Sequence, residues 1–111
     1  MLDPAIEAKL KDMKGIDLEK LEVGTRIEAK TKNSLYKIFT MGHGKFQVVG
    51  GEYFPEKGLH ITRIRGSTFG GSIIKIHWLG IGMHIEFPEC TTTAVQSLKI
   101  IGPNGDWEYE I

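Results

Sequence analysis

Ile73-Ile74-Lys75-Ile76-His77-Trp78-Leu79-Gly80-Ile81-Gly82-Met83-His84-Ile85-Glu86-Phe87 is the stretch whose reading decides the fold. Apolar and polar residues alternate on both sides of a glycine pair, the signature of two half-buried strands joined by a tight reversal. With Gly80 and Ile81 central, and Gly80 supplying a positive φ, Leu79 lies opposite Gly82. Trp78 then faces Met83, Ile76 faces Ile85 and Ile74 faces Phe87 on the inner face. Lys75 opposes Glu86 and His77 opposes His84 on the other. A one-residue slip would spoil both faces, so the alternation predicts a β fold built around this hairpin.

Upstream, Arg26 to Thr31 and Tyr36 to Thr40 alternate in the same way around Lys32-Asn33-Ser34-Leu35, read as a two-residue turn. That register sets Ala29 against Ile38, Thr31 against Tyr36 and Lys30 against Lys37. Two opposed ammonium groups are unfavourable by a few tenths of a kcal/mol and would invite an anion or the acidic tail between them. A three-residue loop, Gly42-His43-Gly44, with a positive φ at Gly44, keeps Phe46 and Val48 on the face of Thr40 and Ile38. Leu35, Phe39 and Val49 fall on the opposite face, and an outer face this apolar calls for a cover.

Gly50-Gly51-Glu52-Tyr53-Phe54-Pro55 interrupts the ladder with a close backbone approach and a proline stop. The change of parity from Leu59 and Ile61 to Ile64 predicts a bulge near Thr62, and Gly66 to Ser72 reads as a flexible corner. Downstream, a strand carries Val95, Leu98 and Ile100, and Pro103-Asn104-Gly105-Asp106 turns the tail back on it. Ile100 then faces Tyr109, Lys99 faces Glu110 and Leu98 faces Ile111.

At the amino terminus, Asp3-Pro4 and Gly15 bracket a helix with Ile6, Leu10 and Met13 on one stripe. About three turns do not stand alone in water, so the stripe must dock on the sheet or on a second subunit. A short helical turn is expected from Asp17 to Leu21, closed by Gly24. The expected organisation is a helical extension over residues 1–22 and a β domain over 23–111. The expected fold is all-β, a small bent sheet or barrel of about seven to eight antiparallel strands with one N-terminal helix.

A chain of 111 residues buries a core without metal or disulfide support, and Cys90 has no second cysteine to pair with. Neither a signal-peptide pattern nor an apolar run long enough to span a bilayer is present, which sets a cytoplasmic expectation and no membrane partner. The 14 basic and 14 acidic side chains cancel. They are uneven, however: residues 1–25 hold 4 basic and 6 acidic, 26–75 hold 9 and 3, and 76–111 hold 1 and 5. A dedicated nucleic-acid binder usually shows its excess in the total.

No catalytic residues, cofactor-binding residues or metal ligands emerge. His77 and His84, with His60 as a third, fall short of a metal set without a cysteine or a suitably placed carboxylate. Gly66 to Ser72 lacks the lysine and the following helix of a phosphate loop. No serine lies in a nucleophile elbow, and Cys90, following Glu89, has none of the electropositive neighbours that activate a thiol. Arg26, Lys30, Lys32 and Lys37, with Lys45, Arg63 and Arg65, are interleaved with Tyr36, Phe39 and Phe46, a mixture used to track single-stranded nucleic acid. Of these aromatics only Phe39 points outward. The leading expectation is therefore a non-enzymatic module that forms a homo-oligomer through Leu35, Phe39 and Val49, with Ile6, Leu10 and Met13 contributing. Binding of nucleic acid or another polyanion through Arg26, Lys30, Lys32 and Lys37 is the alternative.

Thr31-Lys32-Asn33-Ser34-Leu35-Tyr36, Gly50-Gly51-Glu52-Tyr53-Phe54-Pro55, Gly66-Ser67-Thr68 and Gly80-Ile81-Gly82-Met83 with Glu86 resemble a group of short uncharacterised bacterial proteins of small-β-barrel type. The resemblance covers roughly residues 23 to 101. It implies a bacterial, cytoplasmic origin and carries no activity or catalytic residues with it.

Overall fold

The computed structural model describes residues 14–57, 60–69 and 74–111. The helix expected after Asp3, with Ile6, Leu10 and Met13, lies outside the described residues, as does Leu59. The chain is all-β. Its strands are β1 (Gly15–Asp17), β2 (Arg26–Thr31), β3 (Leu35–Gly42), β4 (Lys45–Val49), β5 (Ile61–Thr62), β6 (Gly66–Thr68), β7 (Ile74–Ile76), β8 (Trp78–Gly80), β9 (His84–Glu86), β10 (Thr91–Ile101) and β11 (Glu108–Glu110). Among the described residues the only helical segment is a 3-10 turn, Leu18–Lys20, capped by Asp17, whose Oδ1 accepts from the Glu19 amide.

The main sheet runs β5-β4-β3-β2-β10-β9-β6-β7, with β11 added to β10, and a separate pair joins β1 to β8. Laid flat, six strand spacings would separate β5 from β6 by about 29 Å. Yet Arg63-Ile64-Arg65 alone connects them, and the four steps from Thr62 to Gly66 reach about 14 Å at full extension. The sheet must therefore curl into a half-barrel. Thr62 Oγ1 bridges the gap by donating to Glu89 Oε1 at 2.6 Å. Ile27, Ile38, Val48, Phe54, Leu79, Ile85, Leu98 and Ile100 fill the inside of the curl.

The expected central hairpin is corrected. Its two arms do not pair with each other; β6 lies between them, with Ser67 opposite both Lys75 and Ile85 and Gly66 opposite both Ile76 and Glu86. His77 takes a positive φ of 57°, which breaks the arm into β7 and β8 and inverts the parity. Leu79, expected outside, is in the core, while Ile76, expected inside, is 68% exposed. The second arm reads as expected, with Met83, Ile85 and Phe87 buried. The reversal itself moves by one residue: the Met83 amide donates to the Gly80 carbonyl at 3.2 Å, and the positive φ belongs to Gly82.

The β2–β3 register is corrected by two residues, which preserves the faces and changes the partners. Ala29 pairs with Tyr36, Ile27 with Ile38, Glu28 with Lys37 and Lys30 with Leu35. The turn is Lys32-Asn33, because the Thr31 hydroxyl accepts from the Ser34 amide at 3.1 Å while the Thr31 amide donates to the Ser34 carbonyl. Lys30 and Lys37 are thus not opposed. Nor is there a bulge at Thr62: burial alternates evenly through Thr62, Ile64 and Gly66, with Ile61 facing out. The expected corner at Gly66 is the buried strand β6.

The β3–β4 loop, with Thr40 opposite Phe46 and Ile38 opposite Val48, follows the sequence reading. So does the carboxy-terminal hairpin, with Lys99 opposite Glu110 and Ile100 opposite Tyr109. The Val95, Leu98, Ile100 spacing is explained by a register shift between Val95 and Ser97 that returns all three to the core.

A Cβ on Gly66, which has φ +147, would sit 2.1 Å from the Lys75 carbonyl oxygen, whereas one on Gly105 would meet nothing closer than 3.8 Å. Gly66→Ala is expected to cost about 3 kcal/mol or more, from clash and strain together. Gly105→Ala is expected to cost about 1 kcal/mol. Urea unfolding of the two variants checks the difference.

Candidate functional site

The pleat of β10, β2, β3 and β4 presents two ordered rows on the outer face. In the first, Glu110, Lys99, Glu28, Lys37 and Val49 are successive register partners across β11, β10, β2, β3 and β4. Their charges alternate in sign, and each opposite-charge neighbour is worth about 0.2–1 kcal/mol. Lys99 Nζ also lies 3.6 Å from Glu108 Oε2. In the second row, Ile101, Arg26, Phe39, Gln47 and Ile61 are partners across β10, β2, β3, β4 and β5. Leu35 is 46% exposed, Phe39 39% and Ile61 44%, while Val49 is partly covered. Between the rows is a hollow of about 380 Å³ lined by Arg26, Glu28, Lys37, Phe39, Val49 and Ile101.

The structure brings Leu35, Phe39 and Val49 together with Arg26, Lys30 and Lys37 on this single face, and Lys32 sits in the exposed β2–β3 turn. Tyr36 and Phe46 point into the core. Ile61 and Ile101 also belong to the outer face, to which the sequence reading did not assign them. Ile101 is the second of two adjacent isoleucines, so one of them had to face outward, and that was the available signal.

The histidines are not brought together. His77 Nε2 lies 3.4 Å from Glu19 Oε1 in the bend between β7 and β8. His84 Nδ1 lies 2.8 Å from the Thr92 carbonyl oxygen, an acceptor, so this nitrogen carries the proton. His60 stands edge-on to Phe54. Among the described residues no group of three or more His, Cys, Asp or Glu side chains could hold a metal ion.

Cys90 packs against the core, and burial pushes its thiol up, with Glu89 and Glu86 adding to the shift. Tyr36 is also pushed up, by burial and then by Cys90, against a hydrogen bond with Ser34 that acts the other way. Among the described residues no helix is long and apolar enough to cross a membrane. Comparison with known proteins gave no matching family model, no similar curated sequence and no similar solved structure.

A raised thiol pKa leaves less thiolate at a given pH, so iodoacetamide should alkylate native Cys90 several-fold more slowly at pH 8 than the same cysteine in urea. Mass spectrometry of timed samples measures this. A native rate equal to the unfolded one would contradict the burial and charge effects.

Proposed function

We propose that this chain is a non-catalytic interaction module that self-associates through the outer face of β10, β2, β3 and β4. The observation that carries the reading is the order of charges in the first row. A twofold axis parallel to the strands, midway between β2 and β3, would set Glu28 of each copy over Lys37 of the other. The same axis would set Arg26 of each copy over the Phe39 ring of the other, a cation–π arrangement. It would also cover the hollow and remove Phe39 and Val49 from water, the main favourable term in such an association.

Polyanion binding at Arg26, Lys30, Lys32 and Lys37 is weaker on this geometry. Glu28 lies between Lys99 and Lys37, so the middle row offers no unbroken track of positive charge. The non-catalytic part of the reading is supported by the dispersal of His77, His84 and Cys90 over separate surroundings.

Sedimentation equilibrium tests the proposal. Phe39→Ala is expected to weaken dimerisation at least about tenfold, or ~1.4 kcal/mol. Glu28→Lys and Lys37→Glu should each weaken it further, and the double exchange should restore it, because every proposed contact is regained with its signs swapped. A wild-type chain that remains monomeric at about millimolar concentration would contradict the proposal. So would a double exchange no better than the single variants.

A further inference from the structure

A second hollow, of about 440 Å³, opens between the 3-10 turn, the β3–β4 loop and the link from β5 to β6. Its floor is apolar: Leu18, Phe46 and Ile64 are all buried there, with Leu21 beside them. Its rim is basic. Lys45, Arg63 and Arg65 are exposed around it with the imidazoles of His43 and His77, and among the described residues Glu19 is the one carboxylate in its lining. Arg63 Nη1 reaches the His43 carbonyl at 3.4 Å, which holds the guanidinium over the β3–β4 loop. Thr40 also lines this hollow, and its buried hydroxyl has no hydrogen-bond partner.

We infer that this cleft binds a small organic phosphate. Among the described residues, three cations against one carboxylate favour a compact anion of more than one negative charge, and the guanidinium fork matches phosphate oxygens in pairs. The apolar floor favours an anion with a flat or apolar body, and the volume falls in the range of small-molecule sites, roughly 300–1,000 Å³. A nucleic-acid strand fits the surface less well. Lys45, Arg63 and Arg65 converge on one hollow, while the outer face beyond them alternates in sign. The site is separate from the proposed self-association surface, so either can fail without the other.

The test is a titration of the isotopically labelled full chain, followed through its amide resonances, with inorganic phosphate, adenosine 5′-monophosphate, adenosine and a short oligothymidylate as probes. Saturable binding of adenosine 5′-monophosphate is expected, tighter than that of phosphate and absent for adenosine, with shifts centred on Thr40, Lys45 and Ile64. Arg63→Ala and Arg65→Ala, at exposed positions that leave the fold intact, should each weaken it about tenfold. Lys30→Ala, on the outer face, should leave it unchanged. Absence of saturable binding would overturn the inference, as would an equal loss in Lys30→Ala. Phosphate binding as tightly as the nucleotide, or oligothymidylate binding more tightly through the same residues, would also overturn it.

Discussion

Three residues, Arg63-Ile64-Arg65, have to join strands that a flat sheet would hold twice as far apart as they can reach, and the remainder of the structure accommodates that tether. The curl it imposes brings β6 between β7 and β9. There Ser67 and Thr68 are buried and Gly66 allows the Lys75 carbonyl to approach. Small side chains suit this position because strands stand on both edges of β6 and the core lies beneath it. Ser67 Oγ donates to the Trp78 carbonyl at 2.6 Å, so even its one side-chain polar group is satisfied internally.

The same curl sorts the surfaces. Inside it lies one continuous apolar core, closed at one end by Leu18 and the β1–β8 pair. Outside it the long strands β2, β3 and β10 stay extended enough to build one ordered row of alternating charge beside Phe39, Ile61 and Ile101. Where the tether crosses, Arg63 and Arg65 are turned outward while Ile64 enters the core. That alternation places two guanidinium groups at the mouth of a hollow whose floor is the edge of the core. Both proposed surfaces are therefore consequences of strand parity in a bent sheet, one on its flank and one where the tether crosses.

Much of this parity was legible in the sequence. Burial of Ile27, Ala29, Tyr36, Ile38, Phe46 and Val48 follows their alternation, and the Pro103 to Asp106 turn fixed the tail against Lys99 and Ile100. Two kinds of information were not local. Alternation says which face a side chain takes and nothing about which strand lies beside it, so a two-residue slip at β2–β3 leaves the pattern intact. For the same reason, β6 between the arms of the expected hairpin cannot be told from direct pairing of those arms. The left-handed backbone at His77 was the other hidden feature: histidine adopts it uncommonly, and no glycine advertised the change of parity that sends Leu79 inward. The outer surface was partly readable, since Leu35, Phe39 and Val49 follow from parity alone. The charge order was not, because it depends on the partner assigned to Lys37. The basic cleft draws on four separate segments and could not be assembled from spacing.

The position of β6 is the feature on which the curl and the core stand. Nuclear Overhauser contacts across the sheet measure it directly. Ser67 should show cross-strand backbone contacts to both Lys75 and Ile85, with none between Ile76 and Ile85. Direct Ile76 to Ile85 contacts, with Ser67 lacking either neighbour, would contradict the account.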